Sequence, residues 1–409
     1  MTEIRTYTPL VLDKLSTEQL DEISVIDIYS SLLVENSENI PKIVKSLSKE
    51  KLAAVVDLSS WDKDTFNLAN YVTWLNVILS MQPYDALKEL KKMDQPELVM
   101  FLAGIVDLQW KDPEDVHVGN PFVSPDGVFL IYPKEGQSES EMFNVAVAVI
   151  NLAYLEDTAY GRSLCMDAMD AMYSGLEEEC FRFKNARLAD EGVPTYLEAL
   201  ELYHYEDPTK LLSKILKMVG QDSFKKHEPS KTYILSQYSV VPRHEWNSIF
   251  SLSTELADSV KIELGALLTA SIVLNNAIDM NPATMTDTAK RSICYFRIGF
   301  ELIMENARFS AEELIKYVEL KQIFRLGFSL LVDLRKNANN IKSAIDTLHR
   351  PDIINADEQE FIRNVVLPIP MFQTSLETKA ASFETLAQLK KARRILSDIA
   401  DRILKLTTV

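Results

Sequence analysis

Ser48-Lys-Glu-Lys-Leu-Ala-Ala-Val-Val56 and Asp94-Gln-Pro-Glu-Leu-Val-Met-Phe-Leu102 are the two stretches that decide the fold class of this chain. In each, a side-chain oxygen suited to capping the first N–H groups of a helix stands just before a run of apolar residues. Pro96 fits the second stretch because the first helical turn needs no backbone donor there. Working outward, the same pattern opens Ser16-Thr-Glu-Gln19 before Leu20 and Ser24-Val-Ile-Asp27 before Ile28, with an acid or amide three residues after the hydroxyl, as a capping box requires. Pro41 and Pro83 punctuate further helix starts. The spacing predicts helices of about 10–15 residues joined by short polar turns, the pattern of a stacked helical array without a strict repeat period.

One island interrupts this pattern. Between Asp112 and Glu135 stand Pro113, Pro121, Pro125 and Pro133, and Ser124-Pro-Asp-Gly127 reads as a turn before the β-favouring run Val128-Phe-Leu-Ile-Tyr132. A small hairpin is predicted there. Helical periodicity then returns over roughly 140–155, 157–173, 175–189, 194–204, 208–218, 244–257, 259–280, 285–305, 310–347, 357–366 and 382–406, with a polar linker over 221–242 and a break at Pro368 and Pro370. The expected fold is nearly all-α, a stacked helical array with one small β-hairpin insertion. Its expected divisions are an N-terminal array over 1–110, a hairpin plus helical subdomain over 111–220, and a C-terminal bundle over 243–409.

Composition narrows the chemistry. The 409 residues carry 60 acidic against 43 basic side chains, a net charge of −17, which argues against nucleic acid as a general partner. The chain has 11 glycines, and no two lie closer than eight residues apart. Dinucleotide-binding, P-loop, kinase and nucleophile-elbow motifs all need two glycines within about six residues, so none of them can be written on this chain. Cys165, Cys180 and Cys294 are odd in number and form no Cys-x-x-Cys pair, which points to a reducing compartment and away from a disulfide framework or a zinc knuckle. The first twenty residues lack the apolar run of an export signal. The most apolar stretches, Leu264–Leu274 and Met142–Leu155, fall short of the ~20 residues that cross a bilayer and read as buried helices. A cytoplasmic location is expected.

A di-iron site needs two Glu-x-x-His pairs, and only Glu201-Leu-Tyr-His204 has that spacing, so no metal or other cofactor is expected. Cys165 and Cys294 lie in apolar helical patterns as core thiols. Cys180 follows Glu177-Glu-Glu179, neighbours that raise a thiol pKa. The most site-like stretch is Arg182 to Pro208. Arg182, Lys184 and Arg187 form a cationic stripe fit to clamp a carboxylate or phosphate, with His204 nearby. The competing reading pairs these three with Glu178, Glu179, Asp190 and Glu191, fixing the angle between two helices. Gly192-Val-Pro-Thr195 reads as a helix stop followed by a capped start.

In the last helix Leu389, Leu396 and Ile403 recur every seven residues, as do Ala392, Ile399 and Leu406, giving a short a/d stripe that docks on its own chain or on a second copy. The opposite face carries Lys390, Lys391, Arg393 and Arg394, a cluster suited to an acidic partner, an anionic membrane surface or plain solvation.

Asp57-Leu-Ser-Ser-Trp61-Asp-Lys-Asp64, the Ser124–Gly127 turn, Arg187-Leu-Ala-Asp190 and Gly192-Val-Pro-Thr-Tyr196-Leu-Glu-Ala-Leu-Glu201 together resemble a bacterial family of unknown function over roughly residues 15–210. The Ser-x-Glu-x-Leu helix starts over 16–105 are also loosely similar to the helical N-terminal domain of MgtE-type magnesium transporters and the middle domains of the flagellar switch protein FliG. These likenesses imply a helical fold and, for the second pair, interaction in place of catalysis. The sequence therefore favours a non-catalytic cytoplasmic scaffold or adaptor with a protein partner. The alternative is an enzyme or anionic-metabolite sensor with a pocket near Arg182, Arg187 and His204, closed by the hairpin around Asp126.

Overall fold

The computed structural model describes residues 10–111, 121–137, 140–219, 254–276, 282–348 and 353–407. Helix starts fall where the caps place them. Ser16 and Gln19 close a reciprocal capping box at the head of α1 (Thr17–Asp21), and α2 (Val25–Leu32) and α3 (Ile40–Ser46) follow. Ser48 accepts the Lys51 N–H at 3.2 Å to open α4 (Lys49–Ser60). After α5 (Leu68–Leu79) and α6 (Pro83–Leu90), Asp94 accepts the Glu97 N–H at 3.2 Å to open α7 (Gln95–Ile105).

Helix α4 departs from the amphipathic expectation, since every residue from Lys51 to Ser60 is buried. Helices α2 and α5 and the later α10 (Tyr173–Asp190) all pack against it, so it has no solvent face. A buried central helix must hold polar residues in place by partners, and Lys51 and Asp57 are both on it.

The expected hairpin is present as β4 (Phe122–Val123) and β5 (Phe129–Pro133), turned at Gly127 with φ of 73°. A third strand, β3 (Val106–Trp110), runs straight on from α7 and pairs antiparallel with β5, giving the order β3–β5–β4. Two further hairpins were not legible. The first, β1 (Trp61–Asp62) with β2 (Thr65–Phe66), turns through Lys63-Asp64 without a glycine or proline to mark it. Lys63 takes φ of 58° to make that turn, left-handed backbone that costs a lysine about 1 kcal/mol or more. The second, β6 (Met371–Phe372) with β7 (Ala381–Ser382), occupies the break after Pro368 and Pro370.

The remaining helices are α8 (Glu141–Glu156), α9 (Thr158–Asp170), α11 (Tyr196–Leu202), α12 (Pro208–Met218), α13 (Thr254–Asn276), α14 (Pro282–Asn306), α15 (Ala311–Tyr317), α16 (Leu320–Leu348), α17 (Ala356–Val365) and α18 (Leu386–Thr407). The helix expected over 310–347 is two, because the chain turns extended at the buried Val318 before α16 begins. Helices α14 and α16 meet backbone to backbone. A Cβ built on Gly299 would collide with the Ile323 carbonyl oxygen, and one on Gly327 with that of Tyr295. Along α18, Leu389, Ala392, Leu396, Ile399 and Ile403 are buried, and α18 packs on the chain's own α14 and α16, so these seam positions are covered within the molecule, while the Leu406 side chain lies outside the described residues.

Buried apolar residues from Leu12 to Ile403 form one connected core cluster. Among the described residues no helix is long and apolar enough to cross a membrane. The linker expected over 221–242, the first ten residues of the helix expected over 244–257, and His117, His227, His244 and His349 lie outside the described residues.

Candidate functional site

Helix α10 builds the site because it brings two cationic residues, Lys184 and Arg187, against α4, the β1–β2 hairpin and α7. Its end is a Schellman motif. Gly192, with φ of 74°, donates to the Ala189 carbonyl at 2.9 Å, and Val193 donates to that of Leu188 at 2.8 Å. Thr195 then opens α11 through a capping box with Glu198. The stop and start expected over 192–195 are both present, and they fold α11 back beside the hairpin.

Residues two and five apart on a helix do not share a face, since each step turns about 100°. Arg182 accordingly points outward and is exposed, Lys184 points inward and is 7% exposed, and Arg187 reaches a different neighbour from either. The cationic stripe therefore does not close as a clamp.

Arg187 forks onto Asp57 of α4, with Nε to Oδ2 at 2.8 Å and Nη2 to Oδ1 at 2.9 Å. It also meets Asp94 at 2.6 Å and Glu97 at 3.2 Å, both at the head of α7. The partners read from sequence, Glu178, Glu179, Asp190 and Glu191, are thus replaced by three carboxylates from the first hundred residues. A guanidinium satisfies carboxylates in a planar fork, and here the bidentate partner comes from α4. Glu191 is engaged by Lys51 at 2.6 Å. Trp61 donates its indole N–H to Glu97 at 3.1 Å, tying the hairpin to the same network. Burial, and then the adjacent Asp57 charge, hold the Glu97 carboxyl well above the usual range.

Lys184 sits one turn before Arg187. Its Nζ donates to the Lys63 carbonyl at 2.9 Å and lies 4.7 Å from the Phe181 ring centroid and 5.3 Å from that of Trp61. Burial pulls its pKa down to about 8, against the opposing pull of Asp57, Glu97 and Asp64. Glu177 accepts the Phe66 N–H at 3.1 Å, so α10 pins the turn and the second strand of the hairpin.

These pieces enclose a cavity of about 700 Å³. Its walls are Leu58, Trp61, Phe181, Leu188, Val193, Pro194 and Leu197, with Val273 and Leu274 from the end of α13. Its polar groups are Asp57, Lys184, Asn185, Asn275 and the rim residues Asp62, Lys63 and Asp64. Lys63 reaches over the Tyr196 ring at 5.4 Å, linking hairpin and α11 at the mouth. A largely apolar cleft of this size with a few convergent polar groups is the usual form of a small-molecule site.

Other residues singled out by sequence lie elsewhere. His204 is exposed past the end of α11 and does not line the cavity, and Glu198 is committed to the Thr195 cap. Asp126 pairs with Arg162 at 2.9 Å, on the sheet, so that hairpin does not close the cavity. Lys390, Lys391, Arg393 and Arg394 are exposed on α18, with Lys390 paired to Glu305. Cys180 is buried and pushed up to about 12, chiefly by burial and then by Glu97 and Asp94, so the direction expected of it holds while the cause is tertiary. Cys165 and Cys294 are buried free thiols, each also pushed up to about 12 by burial. Among the described residues no group of three His, Cys, Asp or Glu side chains is placed to hold a metal ion.

Sequence reasoning missed Asp57, Asp94 and Glu97. The signal for Asp57 was available, as a lone acid in the run Leu52 to Leu58 whose other members are apolar. Asp94 and Glu97 read as a helix cap, which they are, and the cap motif hid their second role.

No curated protein and no solved structure matches this chain, so the likeness to MgtE-type and FliG domains finds no support. A model of a family of unknown function matches residues 25–407, which extends the likeness seen over 15–210 through the C-terminal helices. The chain belongs to that family, DUF6178.

Proposed function

We propose that this chain binds a compact, largely apolar small molecule in the cavity between the β1–β2 hairpin, α10 and α11, anchored by Lys184. The observation that carries this reading is the Lys184 amino group, buried in the wall of a cavity of about 700 Å³ against Trp61 and Phe181, with a backbone carbonyl as its hydrogen-bond partner. An ammonium has three donors, and a carboxylate or carbonyl oxygen on a ligand would take those that face the cavity. The apolar walls favour a hydrocarbon or aromatic body. Arg187 is consumed by its own carboxylates, so a phosphate clamp is not part of the reading. The buried free thiols accord with a reducing, cytoplasmic setting.

The adaptor reading is supported by Leu197 and Leu200, exposed at 72% and 45% on α11 beside the cavity mouth. The two readings are compatible when ligand occupancy alters that surface.

A thermal-shift panel of aromatic carboxylates, aldehydes and neutral analogues tests the proposal. A binder of the native state stabilises it by RT ln(1 + [L]/Kd), about 2.7 kcal/mol at a hundredfold excess over Kd. A shift in the full chain that Lys184→Met abolishes is expected. A panel without any shift overturns the reading.

A further inference from the structure

Two lysines of this chain are almost equally buried and differently employed. Lys51 meets the Glu191 carboxylate at 2.6 Å and the Ile23 carbonyl at 2.9 Å, an arrangement that holds an ammonium in place. Lys184 lies in an apolar wall, and no carboxylate among the described residues comes within ion-pair distance of it. Its Nζ contacts one carbonyl oxygen and two aromatic rings, and the residue lines the cavity. A lysine amine placed in a hydrophobic pocket is the arrangement that makes this side chain a nucleophile toward carbonyl compounds.

We infer that Lys184 captures an aldehyde or ketone ligand reversibly, as an imine formed within the cavity. The inference rests on the binding function proposed above and names the class of ligand. In the step, the Nζ lone pair attacks the carbonyl carbon and the carbonyl π electrons pass to oxygen. The two protons of the neutral amine leave with that oxygen as water, and a C=N bond replaces C=O without any change of redox state. Lowering of the Lys184 pKa to about 8 by burial supplies a free-amine fraction of about a tenth at pH 7, where an ordinary exposed lysine supplies less than a thousandth. Asn185 lines the same cavity and offers a polar contact to the carbinolamine oxygen.

The test uses the full chain at pH 7.5 with benzaldehyde and cyanoborohydride, which reduces an imine to a stable benzylamine, read by peptide mapping against the exposed Lys390 and Lys391 as internal references. Labelling of Lys184 at least tenfold faster than Lys390 is expected, with Lys184→Arg folded and unlabelled at that position. Labelling no faster than Lys390 overturns the inference. A parallel thermal-shift measurement with benzyl alcohol, which has the ring and no carbonyl, separates the two claims. Stabilisation by benzyl alcohol without preferred labelling of Lys184 leaves the cavity as a binding site and removes the imine. Absence of both effects removes both.

Discussion

Arg187 and Asp57 stand 130 positions apart in sequence and are joined by two parallel N–H···O bonds of 2.8 and 2.9 Å, so the end of α10 is fixed on the last turn of α4. The Asp57 side chain is wholly buried, and Asp94 and Glu97 complete a set of three carboxylates about one guanidinium. Breaking such a group by removing one partner leaves uncompensated charge out of water.

Arg187→Met is therefore expected to destabilise the chain by about 3–5 kcal/mol. Adding Asp57→Asn should recover part of the loss, because one stranded charge is neutralised. Urea unfolding of both variants at pH 7.5 checks this, and a Met variant as stable as the parent chain would contradict it.

Glu97 gives the opposite sign. Its carboxyl is held well above the usual range by burial and then by Asp57, so the folded chain keeps a proton that the unfolded chain loses above about pH 4.3. The native state binds more protons, and this group makes stability fall as pH rises from about 5 toward neutrality. Glu97→Gln keeps the shape and the acceptor for Trp61 without the titration. The stability of Glu97→Gln relative to the parent chain should rise with pH between 5 and 8, and parallel profiles would contradict the assignment.

For Lys184 the folded pKa, about 8, lies below the ordinary value near 10.5, so between those limits the unfolded chain binds more protons and stability rises with pH. Lys184→Met lacks that gain. Denaturation of both proteins at pH 7.5 and 9.5 should show the parent chain gaining on the variant at the higher pH.

Gly299→Ala and Gly327→Ala should each cost at least about 2 kcal/mol, since each added methyl group meets backbone that has no rotamer to move aside. The double variant should cost less than the sum, because separating α14 from α16 once relieves both collisions. Melting temperatures of the three variants decide it.

Much of the helical frame was legible because capping is local chemistry. Ser16, Ser48, Asp94 and Thr195 each announced a helix within four residues, and the structure places caps at all of them. The β1–β2 hairpin was hidden, since Lys63 adopts left-handed backbone that sequence signals associate with glycine or asparagine. The cavity was half legible. Lys184 and Arg187 were singled out, yet their roles depend on Trp61, Asp57 and Glu97, whose approach is a matter of tertiary packing and leaves no mark on local periodicity. Of the stretches whose wording resembled a family, Asp57 to Asp64 and Arg187 to Glu201 both supply walls of one cavity, while the Ser124–Gly127 turn does not line it.

The third wall, Val273 to Asn275, comes from a helix far along the chain. A molecule filling this space touches three distant lengths of polypeptide at once, like a stitch through three folds of cloth. Its binding energy offsets the conformational entropy lost in holding them together. Under the binding function proposed above, occupancy of one cavity would make three remote lengths of polypeptide resist unfolding together.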